Sequence, residues 1–326
     1  MKPLLCSTLL LCFTPVLRAD GVTVTKTKDT IEFKIGKDLV SRYHIGENVA
    51  KPYFWPMNAP GDIPVTRAWP MKEGEPKETK DHVHQKSAWF CHGDIIPEGL
   101  ELKQKIKGVE GVDFWSEAPG HGIIAVVSVD EPVSGNRAGS VRTKNEWRTA
   151  DGQKVLDEVR TIQLLDLGVA RMFILEIELN ASVCNLTFGD TKEGSMGVRV
   201  NDEITTKNGG HFYNAGGKVD EKEIWGNPSP WCDYFGSING KTAGIAVFDD
   251  PANKPGAVWH ARGYGLMAAN PFGRDKSFPS QKGNATLFKL AKGENLKLRY
   301  GILLHTGDTK DAKVDAIYEV FKKKTD

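Results

Sequence analysis

Cysteine is scarce in this chain. There are five in 326 residues, and two of them, Cys6 and Cys12, fall in an N-terminal stretch that reads as removable. Cys91, Cys184 and Cys232 remain, an odd number that permits one disulfide at most. No pair has the close spacing of a zinc knuckle or a redox motif, so the three read as half-buried thiols.

Charge of one sign is also lacking. Lysine plus arginine number 43 against 42 for aspartate plus glutamate, a formal net charge of +1. That balance removes any case for nucleic acid or an anionic membrane surface as partner. No segment reaches the roughly 18 consecutive apolar residues of a spanning helix. The apolar run Leu4 to Phe13 is too short for that. It follows the basic Lys2 and precedes Leu17-Arg18-Ala19, the pattern of a secretory signal with its cleavage site. The expectation is a signal at residues 1–19 and an exported chain, secreted or periplasmic, over 20–326. Repeats, low-complexity tracts and composition breaks are absent too, so 20–326 reads as one domain.

Helical periodicity is the last scarcity. Only Val314, Ile317, Tyr318 and Phe321 fall at i, i+3, i+4 and i+7, followed by Lys322, Lys323 and Lys324 at the negative end of the dipole. Elsewhere the pattern has period two. Val22 to Thr25 and Ile31 to Ile35 flank the turn-like Lys28-Asp29 as a hairpin, and Leu39 to Tyr43 continues it. Lys51-Pro52-Tyr53-Phe54-Trp55-Pro56 is aromatic and rigid, and Pro60-Gly61-Asp62 punctuates it as a loop. Strands are then predicted over 122–129, 141–147, 155–165, 171–179, 182–188, 234–238, 242–248, 258–261, 285–290 and 296–304. In the fourth, Phe173, Leu175, Ile177 and Leu179 share one face and Glu176 and Glu178 the other. Sequential strands without intervening helices exclude a βαβ fold and predict a large antiparallel β-sandwich closed by a C-terminal α-helix.

Glycine, proline and tryptophan are plentiful, at 34, 17 and 8, and polar groups gather in three runs. Asp81-His82-Val83-His84-Gln85-Lys86-Ser87-Ala88-Trp89-Phe90-Cys91-His92-Gly93-Asp94 packs three histidines, a lysine and two aspartates around an aromatic pair. On an extended strand His82 and His84 would project to one side. That spacing suits a proton-transfer pair, hydrogen bonders for sugar hydroxyls, or two imidazole ligands of a divalent metal. The metal option needs a third ligand from His92, Asp94, Glu146 or His260. The second run, Phe188 to Arg199, sets Asp190, Lys192, Glu193 and Arg199 between glycines, the composition of a loop at a polar ligand site. The third comprises Trp231-Cys232-Asp233-Tyr234-Phe235 and Val258 to Gly273, with Trp259, His260, Arg262, Tyr264 and Asn270.

Read together, the runs form the walls of one pocket at an end of the sandwich. Acid–base work falls to His82, His84, His260, Asp190 and Glu193, since proton transfer near neutral pH needs such a couple. Lys86, Trp89, His92, Asp94, Lys192, Arg199, Asp233, Trp259, Arg262 and Asn270 are the candidate substrate-binding groups. Aromatic faces stack on sugar rings, while cations and amides bond hydroxyls and carboxylates. The expected ligand is a carbohydrate or sugar derivative, and the expected chemistry that of an epimerase, lyase or hydrolase. A non-catalytic binding module and a metal-dependent oxidative enzyme are the alternatives. No cofactor is required by the sequence.

On the runs 81–94, 188–200, 231–234, 244–249 and 259–273, the chain resembles the PmoA-like family of exported bacterial proteins. It departs at Val83, where that family more often has proline, at Ile95-Ile96-Pro97 in place of Val-Asn-Gly, and at Asp250 in place of histidine. The resemblance implies a sandwich of the galactose-mutarotase kind. The family's name points to a membrane-embedded methane monooxygenase, which a chain without a spanning segment does not fit.

Overall fold

Val22–Lys26 and Thr30–Ile35 form the hairpin their alternation predicts, with Val22 opposite Ile35 and Lys26 opposite Ile31. The structure, a computed structural model, describes residues 21–73 and 78–323. The expected signal at 1–19 lies outside them. From the hairpin a sheet extends through Asp38–His44, Tyr53–Ala59, Ala88–His92, Gly194–Arg199, Leu266–Asn270 and, at its edge, Val258–Arg262. The short Ile63–Pro64 pairs with Tyr53–Ala59.

A second sheet runs, in spatial order, His211–Asn214, Trp231–Ile238, Lys241–Asp249, Asn295–Thr306, Ala170–Asn180, Lys154–Asp166, Ala138–Arg148 and Ile123–Val129. Ile95–Pro97, Leu186–Phe188 and Phe288–Leu290 make a small third sheet. Every pairing between these strands is antiparallel. The fold is an all-β antiparallel sandwich with a helix near its C-terminus, as the periodicities predict.

The core lies between the two large sheets. Phe33 and Phe54 of the first meet Phe173 of the second at ring distances of 5.2 and 5.1 Å, and Phe90 meets Trp147 and Tyr300. Within this apolar layer sits one ionic group. Arg160 and Glu158, both fully buried, pair with each other. Arg160 also donates to the Tyr43 hydroxyl at 2.6 Å, and Trp147 Nε1 donates to Glu158 at 2.6 Å. Charges taken out of water persist only when paired and hydrogen-bonded in this way.

Phe173, Leu175, Ile177 and Leu179 face that core, but Met172 and Ile174 on the opposite side are buried too. The helix Val314–Lys322 covers them with Val314, Tyr318 and Phe321. Trp231 Nε1 donates to Asp315 at 3.0 Å and the Tyr318 hydroxyl to the Asp249 carbonyl at 3.1 Å, which fixes the helix on the sheet.

Several expectations need correction. The aromatic, rigid stretch at 51–56 runs into a strand, Tyr53–Ala59, that no period-two pattern marks. The predicted strands at 182–188 and 285–290 shrink to Leu186–Phe188 and Phe288–Leu290. Gly194–Arg199, expected as a loop, is a central strand buried on both faces, so it shows no alternation. Its glycines serve packing: a Cβ on Gly197 would stand 2.8 Å from the Trp89 indole. His82 and His84 do not share a strand face. They sit in an irregular turn with positive φ at His82 (42°) and Ser87 (57°), closed by the Gln85 N–H donating to the His82 carbonyl.

Candidate functional site

Register carries the site's floor across four strands. Trp89 is opposite Gly197, Gly197 opposite Ala268, and Ala268 opposite His260. Directly paired residues point to the same side of a sheet. Since the neighbouring Phe90 faces the second sheet, this row faces away from it. The next row repeats the side with Arg199, Leu266 and Arg262. The site therefore lies on the outer face of the first sheet rather than at an end of the sandwich. Gly197 and Ala268 are small, which leaves room for Trp115 to lie over the row, 5.0 Å from Trp89 and stacked on His260 at 6.4 Å.

Over this floor opens a cleft of about 460 Å³. It is lined by His82, His84, Lys192, Glu193, His260 and Arg262 of the sequence-derived set. Gln85, Ile106, Asp113, Trp115, Ser116, Ala118 and Tyr264 complete it. Trp115 and Asp113 lie in an irregular stretch with no period-two or helical pattern to place them. Glu193 lies in the bend just before Gly194–Arg199 and comes within 3.9 Å of His260 Nδ1.

Each wall is held from behind. Arg67, fully buried, donates to the Thr79, His82 and Gln85 carbonyls and to the Asp81 carboxylate at 2.6 Å. Arg199 adds Gln85 Oε1 at 2.7 Å and an ion pair to Asp81 at 2.9 Å. Burial would raise the Asp81 carboxyl, but the charge of Arg199 and the bonds from Arg67 and His82 outweigh it and hold it below the usual range. The His82 ring stacks on Tyr264 at 5.2 Å and meets the His84 ring edge-on at 5.7 Å. Asp113 Oδ1 accepts the Trp115 and Ser116 N–H groups, which sets the aromatic roof.

The floor carries the perturbed groups. His260 is 2% exposed and wedged between Trp115 and Trp225. Its Nδ1 lies 2.9 Å from the Lys192 carbonyl, which can only accept, so Nδ1 carries the proton and Nε2 keeps a lone pair. Burial, with the charges of Arg262 and Lys192, pushes its pKa down to about 3. Burial, with Lys51 and His82, pushes His84 down to about 4. Glu193, 3.9 Å from His260 Nδ1, moves the other way. Burial lifts its carboxyl to about 7, helped by Asp113 and opposed by Lys192 and Arg262. Two neutral imidazoles and a carboxyl poised near neutrality thus share one cleft.

The remaining sequence-derived candidates do not line it. Asp190 spends both oxygens on the Arg274 and Lys276 N–H groups. His92 is a core histidine against Phe272 and the Gly189 carbonyl. Asp94 accepts from Gly111 N–H, and Asp233 pairs with His305 and Thr309 in the second sheet. Trp89 and Trp259 are buried, the latter donating to the Ser229 carbonyl, so neither offers a face to a ligand. Lys86 is tied to Glu117 at 2.7 Å. Arg199 and Asn270 act from behind, Asn270 by donating to the Thr191 carbonyl. Of the expected third ligands of a metal, His92, Asp94 and Glu146 are held elsewhere, Glu146 by Arg148, and only His260 lines the cleft with His82 and His84. Among the described residues no group of three or more His, Cys, Asp or Glu is arranged to hold a metal ion. None of their helices is long and apolar enough to cross a membrane.

Among solved structures, the fold is similar to an α-galactosidase from Lactobacillus brevis, with a TM-score of 0.42, 9% identity, and coverage of 89% of this chain and 40% of that one. For the GH36 α-galactosidase AgaA from Geobacillus stearothermophilus the values are 0.40, 9%, 88% and 40%. A Glycoside Hydrolase Family 97 enzyme from Pseudoalteromonas sp. strain K8 gives 0.36, 8%, 88% and 34%. The chain spans well under half the length of these proteins. No curated protein matches the sequence. The expected PmoA-like membership is overturned by the family model that does match, over residues 30–319: the chain belongs to the family of unknown function DUF6807.

Proposed function

We propose that the cleft binds a carbohydrate or sugar derivative and performs acid–base chemistry on it. The observation that carries this reading is the half-buried Glu193 carboxyl, lifted to about 7, beside the neutral His260. A group whose pKa lies near the working pH is efficient both as proton donor and as proton acceptor. His84 and His260, both neutral near pH 7, can accept hydrogen bonds from sugar hydroxyls. The volume suits a monosaccharide-sized ligand. Export of the chain, with a mature N-terminus at Asp20, belongs to the same reading and is tested by sequencing the mature protein from its host.

The test of function is a panel of sugars followed by NMR for binding and for new products. Glu193→Gln should keep affinity and lose turnover by about 100-fold or more. A wild-type protein that binds sugars yet turns none over across the panel would make the cleft a binding module. One that binds no sugar removes the proposal.

A further inference from the structure

Two cations line the cleft, and neither is fully used by the protein. Arg262 stacks on Trp225 with its guanidinium carbon 3.7 Å from the ring centroid. One nitrogen, Nη1, donates to Glu221 at 2.8 Å. These contacts fix the plane of the guanidinium, while Nη2 and Nε have no hydrogen bond among the described residues. Lys192 lines the same cleft on a pinned loop. His260 Nδ1 donates to its carbonyl and Asn270 to that of Thr191, both at 2.9 Å. The Lys192 ammonium has Glu193 as its ion-pair partner only at 3.9 Å, and its side chain is 47% exposed.

The carboxyls at the cleft leave these N–H groups open, since Glu221 takes only Nη1 of Arg262 and holds the Gly263 N–H with its other oxygen. Asp113 turns one oxygen to the backbone of Trp115 and Ser116. Glu193, lifted to about 7 despite both cations, is only about half ionised at that pH. A guanidinium held flat with two free N–H groups presents the fork that a planar carboxylate fits, and a nearby ammonium adds a point charge. A neutral sugar would leave these donors without an anionic acceptor.

We propose that the ligand of this cleft is a sugar acid, with its carboxylate held by Arg262 and Lys192. The inference rests on the sugar-binding reading above and narrows its substrate class. Holding the carboxylate there sets the ring next to Glu193, which lines the same cleft.

Calorimetric titration of the full chain with hexuronates and the matched neutral hexoses, for example D-galacturonate against D-galactose, tests it. The hexuronate should bind about tenfold tighter or more, a difference of about 1.4 kcal/mol. Arg262→Met and Lys192→Met should each erase most of that preference while the neutral hexose keeps its affinity. Melting curves serve to confirm that each variant is folded. If one of them does not fold, the other, together with Arg262→Lys, carries the comparison. Equal affinities for acid and neutral sugar, or a preference that survives both substitutions, overturn the sugar-acid assignment and leave the sugar reading standing. Galactose 6-sulfate binding as tightly as the hexuronate overturns the carboxylate in particular. If no sugar of either kind binds, both readings fall.

Discussion

Arg67 and Asp81 meet at 2.6 Å, and the same guanidinium gathers the carbonyls of Thr79, His82 and Gln85. A fully buried side chain thus specifies the path of the exposed turn that brings His82 and His84 to the cleft. Removing it leaves a carboxylate and three carbonyls short of donors. Arg67→Met should cost about 3–5 kcal/mol in urea unfolding, and limited proteolysis should open the chain between 79 and 87 before the sheets. Arg67→Lys, with no fork, should recover only part of the loss. A variant as stable and as resistant as the wild type sinks this account.

The imidazoles of the cleft should separate by position. His84 is partly exposed, so His84→Ala should move the melting temperature little while ligand affinity drops. His260 is packed between two indoles, and His260→Ala should cost about 2–3 kcal/mol through the cavity and the lost hydrogen bond to Lys192. Melting and binding measured on the same preparations check both. An unchanged affinity in the folded His84 variant removes that residue from the site.

Glu193 makes stability depend on pH with a definite sign. Its folded pKa of about 7 lies above the ordinary carboxylate value of 4.5. The stabilising contribution is therefore fully present below about 4.5 and is lost as pH rises through 7. About a third of the side chain meets solvent (31% exposed), which reduces the effect to about 1–2 kcal/mol. Unfolding free energies measured between pH 4.5 and 8 should show this decline in the wild type. Glu193→Gln should lose that part of the slope. An identical slope in the variant argues against a raised carboxyl.

The core ion pair makes a separate forecast. Arg160→Met alone strands Glu158 in an apolar layer and should cost about 3–5 kcal/mol. The double change Glu158→Leu with Arg160→Met should recover most of it, since two apolar side chains need no partners. Chemical denaturation of the three proteins decides the matter, and a double variant no better than the single one contradicts it.

Sheet architecture was legible wherever one face meets core and the other water, as at Phe173, Leu175, Ile177 and Leu179. It was not legible where both faces are covered. Gly194–Arg199 has tryptophan against one side and core against the other, so glycine and charge there mimicked a loop. The site was legible as chemistry and less so as geometry. His82, His84, Lys192, Glu193, His260 and Arg262 do gather at one cleft. Asp190 and Asn270 were drawn in by their polarity, yet their bonds go to backbone groups of neighbouring loops. Nothing local distinguishes a carboxylate that caps a turn from one that meets a ligand. Trp115 was invisible for the opposite reason. Its place over Gly197 and Ala268 depends on strand pairing between segments far apart in sequence.

The cross-strand row from Trp89 to His260 has a consequence for folding. His82 and Tyr264 touch across more than half of the chain length, and the row between them exists only once three separate pairings have closed. A fragment over 188–270 would hold Lys192, Glu193, His260 and Arg262 but lack His82, His84 and Trp115, so full ligand affinity should appear late during refolding. Occupancy would in turn draw the assembled sheet together by mass action. The pocket is in that sense a gauge of completed assembly, and a ligand found for it would double as a chemical chaperone for destabilised variants.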